Sequence, residues 1–193
     1  MTDFLFYLNL GWEHIISLDA LDHQLFVLVL VAVYTYNDWR KILVLVTAFT
    51  IGHSITLALS VLDIVRVPAD WVEFLIPLTI LLTATDNILM RNKQTSLMRL
   101  NYYLALIFGL IHGMGFANTA RLMLAKEQNI FTPLLGFNLG LEIGQVAVVL
   151  LILLVEFLLI KFLKLKKTHW MVFASVITFI ISLKLCIERF PFF

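Results

Sequence analysis

A chain of 193 residues that is 61% hydrophobic and only 14% charged lies outside the range of soluble domains, which carry about 45–50% apolar and about 25% charged residues. The net charge of +1, with no basic patch, argues against nucleic acid or an acidic polymer as a partner. The single cysteine, Cys186, rules out an intrachain disulfide and a thiolate metal cluster and reads as an inert packed thiol. The composition predicts an all-α integral membrane protein in which any chemistry happens in or at the lipid bilayer.

The first sixteen residues, MTDFLFYLNLGWEHII, are apolar but too short to cross. They read as a short interfacial or re-entrant helix, with a seventh crossing as the less favoured alternative. Asp3 stands where a signal peptide would carry Lys or Arg, and no small-residue cleavage site follows, so a cleaved leader is not expected. A spanning helix needs roughly 20 mostly apolar residues. That length predicts a bundle of about six transmembrane helices, over residues 18–36, 41–62, 70–90, 99–117, 131–160 and 170–188, in a single transmembrane domain covering 1–193. Pro77 is expected to kink the third span. The fifth is long enough to tilt or extend beyond the bilayer.

Nine of the Lys and Arg residues (Arg40, Lys41, Arg91, Lys93, Arg99, Lys161, Lys164, Lys166 and Lys167) fall at one set of loops, and five (Arg66, Arg121, Lys126, Lys184 and Arg189) at the other. Lys and Arg favour the inside, so both termini are expected outside, in a bacterial inner (plasma) membrane. Depth then follows from the helical rise. His53 lies about 18 Å past Lys41, His112 about 20 Å past Arg99, and Glu142 about 16 Å into the oppositely running fifth span. Asp19, Asp22 and His23 lie near the outer end of the first span. Four helices thus bring ionisable groups to the outer half of the bilayer or its midplane.

Such residues are costly in a membrane and mark function by default. Three imidazoles and two carboxylates (His23, His53, His112, Asp22 and Glu142) suit nickel, cobalt or zinc better than a soft metal. His14 and Asp19 are further candidates. His14 reads equally well as an exposed interfacial histidine, and Asp19 as a helix cap. Asn138, Gln145 and Ser54 are expected to orient ligands, although Ser54 can bond back to the carbonyl four residues earlier, as can Thr50 and Thr56. The bland alternative is that each histidine hydrogen-bonds a neighbour in a packed bundle. His169, Asp86 and Glu73 read as interfacial or solvated, and Glu156 as pairing with Lys184 or lying in a polar seam. Gly136, Gly140 and Gly144 form a stripe that permits close helix packing, either within the chain or in a homo-oligomer.

Four ordered segments give the chain a resemblance: GWEH with DHQLF (11–14 and 22–26), FTIGHSITL (49–57), FGLIHGMGF (108–116) and FNLGLEIGQ (137–145). Together they resemble the HupE/UreJ family of hydrogenase and urease accessory membrane proteins. In that family's pattern five residues, one of them glycine, separate the first histidine from Asp-His. Here the interval is the seven residues IISLDAL. The resemblance implies nickel or cobalt uptake for metalloenzyme maturation. Two mechanisms are compatible with the residues. One is a permease that holds a divalent ion at the His/carboxylate cluster. The other is an intramembrane zinc-dependent hydrolase or transferase with Glu142 or Asp22 as general base. The mostly apolar inner halves of the spans weigh against transport, and a structural accessory subunit is a third possibility.

Overall fold

A computed structural model describes residues 3–89, 91–92, 94–124 and 130–191, and it is all-helical there. The helices are α1 (Asp3–Ile16), α2 (Leu21–Val31), α3 (Trp39–Val61), α4 (Ala69–Leu89), α5 (Gln94–Gly115), α6 (Ala117–Leu124), α7 (Phe131–Leu163) and α8 (Lys167–Glu188). Lys93 and Lys126, and the side chain of Arg99, lie outside the described residues, as do 125–129 of the connection before α7.

The stretches Tyr36–Val61, Ala69–Leu89, Phe131–Leu163 and Lys167–Glu188 are each long and apolar enough to cross a bilayer. The chain is an integral membrane protein. The predicted short N-terminal helix is present as α1, but the helix predicted over 18–36 is divided. Its regular part, α2, has 11 residues and is about 17 Å long, too short to cross alone. α1 and α2 qualify as a span only as a pair, bent by 58°. The bend arises where Ser17 turns extended before a 3₁₀ turn, Leu18–Ala20.

The packing shows how this pair runs. α1 lies along α7 with Phe4 against Gly136, Leu8 against Gly140 and Ile15 against Gly144, so the two helices are parallel. Beyond the bend the chain continues the same way, because Lys167 donates to the carbonyl of Tyr34 and Tyr36 meets Phe157 edge-on, both near the far end of α7. α1 and α2 therefore form one broken crossing. α3 and α5 also run parallel, with Gly109 against Phe49 and Gly113 against His53. α4 and α8 are antiparallel, with Phe74 near Phe190 and Asn87 bonded to Ser175. Residues 62–68 and both termini thus share one end of the bundle, and residues 32–38 and 164–166 the other.

The glycine stripe of α7 is consumed inside the chain. A Cβ at Gly140 would collide with the Leu8 carbonyl, so α1 already occupies the face that a second copy would need. Glu156 is buried and pairs at 2.6 Å with Lys167 rather than with Lys184, which instead faces Glu188 at 3.5 Å. Burial in a low-dielectric setting makes an unpaired carboxylate costly, and the α7–α8 turn places Lys167 within reach of it.

Candidate metal centre

The site forms at the break between α1 and α2. A helix end frees its last carbonyls, and in a membrane they must find protein or water. Gln24 supplies the partner. Its Nε2 donates to the carbonyls of Ile15, Ile16 and Ser17 at 3.1, 3.2 and 2.9 Å. The break therefore holds without Gly or Pro, and it puts His14 in the last turn of α1 beside Asp22 and His23 in the first turn of α2.

The ligating atoms of His14, His23 and His53 lie within 4.8 Å of one another. His112 joins from α5, its ring centroid 4.7 Å from that of His23. His14 is thus drawn fully into the group. The 3₁₀ turn Leu18–Ala20 lies within the seven residues between it and Asp-His.

The hydrogen bonding of the rings indicates what the group can do. His23 Nδ1 is 2.9 Å from Asp22 Oδ1, and His112 Nδ1 is 2.8 Å from the Phe108 carbonyl. Each contact fixes the proton on Nδ1 and leaves Nε2 as a lone pair, the arrangement that metal-binding histidines use. His14 Nε2, His23 Nε2 and His112 Nε2 are buried with no protein partner, and the wholly buried His53 has Asn138 beside it. Buried polar atoms are rarely left so, and His14, His23 and His53, each able to offer one nitrogen, with His112 beside His23, fit a divalent cation. Nitrogens sharing an ion at about 2.0–2.1 Å would be about 3.3 Å apart, so the group needs only a modest closure. The bland alternative, histidines satisfied by helix neighbours, accounts for the Nδ1 atoms of His23 and His112 but not for the Nε2 atoms of His14, His23 and His112.

Aromatic rings wall the group. Phe137 stacks on His53 at 6.0 Å and on Phe116 at 4.8 Å, while Phe49 meets His112 edge-on at 5.2 Å. On the other side a cavity of about 350 Å³ opens toward the end that carries both termini, lined by His14, Asp22, His23, His112, Glu73 and Arg189 among others. Arg189 Nη1 lies 3.6 Å from Asp22 Oδ2.

The remaining candidates are placed differently. Glu142 lies outside both the histidine group and the cavity and accepts a hydrogen bond from Thr47 at 2.7 Å. Gln145 accepts from Thr50 at 3.1 Å and does not hold a histidine. Asn138 lies beside His53, within hydrogen-bonding reach, and its Nδ2 donates to the Leu134 carbonyl at 2.8 Å. Ser54 bonds back to the Thr50 carbonyl at 2.6 Å. Asp19 is exposed on the cavity rim and caps no helix, since Ala20 is the N-cap of α2. Glu73 also lines the cavity, where sequence reasoning saw only solvation. Gln24, Phe116 and Phe137 were missed as site residues, although all three fall inside the segments that carry the resemblance.

No curated protein and no solved structure matches the chain. The family model described as HupE / UreJ protein matches residues 1–189, nearly the whole length, and the chain belongs to the HupE/UreJ family.

Proposed function

We propose that this protein is a divalent metal-ion permease of the nickel and cobalt type associated with its family. In this reading His14, His23, His53 and His112 receive the ion through the cavity and Asp22 orients His23. The observation that carries the reading is the group of His14, His23 and His53 at a helix break, their ligating atoms within 4.8 Å of one another. Discontinuous membrane helices are where transporters build their ion sites, and a neutral imidazole set suits nickel, cobalt or zinc. The excess of Lys and Arg at the opposite end puts the cavity on the outside, with both termini.

The zinc-hydrolase alternative needs a carboxylate free to activate water. The two that the sequence offered are engaged, Glu142 with Thr47 and Asp22 with His23 and Arg189, which leaves Asp19 and Glu73 on the cavity wall for that role.

The test is the metal content of purified protein equilibrated with nickel or zinc, followed by nickel flux in proteoliposomes. Wild type is expected to hold metal, and His14→Ala, His53→Ala and His112→Ala to lose most of it. Near-zero metal in every sample overturns the site. Tight zinc with no flux and a hydrolytic activity would favour the enzyme.

A further inference from the structure

The cavity is lined by Glu73 and Arg189 at the end that carries the start of α4 and the end of α8, and the inner halves of the spans read from the sequence as mostly apolar. The interior of the sub-bundle formed by α2, α4 and α8 is different. Thr79, Thr83 and Asn87 recur every four residues along α4, and Ser175, Thr178 and Ser182 recur at three and four along α8. All six are buried, in the region where α4 packs on α8 and both pack on α2.

The row begins at the histidine site. Ile76 lines the cavity, Thr79 donates to the Ile76 carbonyl at 2.7 Å, and Thr83 donates to the Thr79 carbonyl at 3.0 Å. It continues to Asn87, whose Nδ2 reaches the Val29 carbonyl of α2 at 2.7 Å and Ser175 Oγ at 3.3 Å. On α8, Ser182 donates to the Thr178 carbonyl at 2.7 Å.

Ser and Thr bonded to their own helix can be mere packing. Two atoms are not explained that way. Asn87 Oδ1 and Thr178 Oγ1 have no partner, although both residues are 0% exposed. A buried unpaired polar atom is destabilising, so packing alone does not account for these two.

We propose that this seam is the route by which the divalent cation leaves the histidine site for the opposite face, passing over hydroxyl and amide oxygens. The six side chains include no carboxylate or imidazole. Conduction requires sites weak enough to leave, and oxygen donors of this kind suit an ion that keeps much of its water. The seam is packed shut while the cavity is open, the relation expected of a carrier open to one side. α4 and α8 must part for the ion to pass.

The inference rests on the permease reading, and Thr178→Val and Thr83→Val test it separately from that reading. Valine keeps the shape of threonine; the Thr178 hydroxyl has no partner to lose, and Thr83 gives up only its bond to the Thr79 carbonyl of its own helix, so the Thr178→Val melting temperature should match wild type and nickel affinity at the histidines should stay within twofold in both variants. The initial rate of radioactive nickel uptake into proteoliposomes should fall at least tenfold in both variants. Thr85→Val, on α4 but outside the row, should keep it within twofold. Uptake within twofold of wild type in both seam variants overturns the route. Wild-type vesicles that bind nickel without taking it up overturn it too, while leaving the histidine site standing. Wild-type protein that binds no metal overturns the site, and the route with it.

Discussion

Asp22 does several jobs at once. It accepts the backbone N–H of His23 at 2.8 Å, faces His23 Nδ1 at 2.9 Å and balances Arg189. Its negative charge in the first turn of α2 also suits the positive end of the helix. Asp22→Asn keeps the shape but removes the charge that raises the basicity of the ring, and metal affinity is expected to fall by about 10–100-fold. Glu142→Gln should change it by less than about twofold, because Glu142 answers to Thr47. Competition against a chromophoric chelator measures both, and equal losses would return Glu142 to the ligand set. His23, His53 and His112 were legible because ionisable residues are scarce in membrane spans. Gln24 was not, because its work is on carbonyls freed by a break that neither Gly nor Pro announces. The stripe Asn138, Glu142 and Gln145 was correctly read as one face, and all three residues meet α3. Which of them reaches a histidine depends on the antiparallel register of α3 and α7. That register gives His53 to Asn138 and leaves the other two to Thr50 and Thr47.

At the scale of elements, the close contact of α1 with α7 holds His14 in place. Membrane helices have no hydrophobic drive toward one another, so small residues that let backbones approach carry the association. Gly140 lies against the Leu8 carbonyl and Gly11 against that of Phe137, so each helix offers a glycine to the other. Gly140→Leu is expected to push α1 away, lower the melting temperature in detergent and weaken nickel binding by tenfold or more. Gly115→Ala is a fair contrast. Its Cβ would meet only side-chain atoms, the nearest being Ile76 Cδ1 at 3.0 Å, and its melting temperature should stay close to wild type. If the two variants melt alike, the α1–α7 contact is not what positions the site. Sequence spacing revealed the stripe on α7 but could not say which partner it serves, since a neighbouring helix and a second copy make the same demand.

At the scale of the whole molecule, four spanning helices and the bent α1–α2 pair bring the start of α1, the end of α8 and the cavity to one end. A cysteine in place of Ile64, in a Cys186→Ala background, should react with a membrane-impermeant thiol reagent on intact cells. A cysteine in place of Lys164 should react only after permeabilisation. The reverse pattern would turn the protein over, and labelling of both on intact cells would break the placement of the two loops at opposite ends of the bundle. Composition alone determined that the chain lives in a membrane, because a 61% apolar sequence cannot hide that surface in water. The scarcity of charge in its spans singled out three of the four histidines of the site. Tertiary structure decided the rest: the break that creates the site, the recruitment of His14 across two extra residues, the release of Glu142, and the polar row between α4 and α8. These depend on the register of helices distant in sequence. A helical period shows which face of a helix is polar, but not the height at which a neighbour meets it.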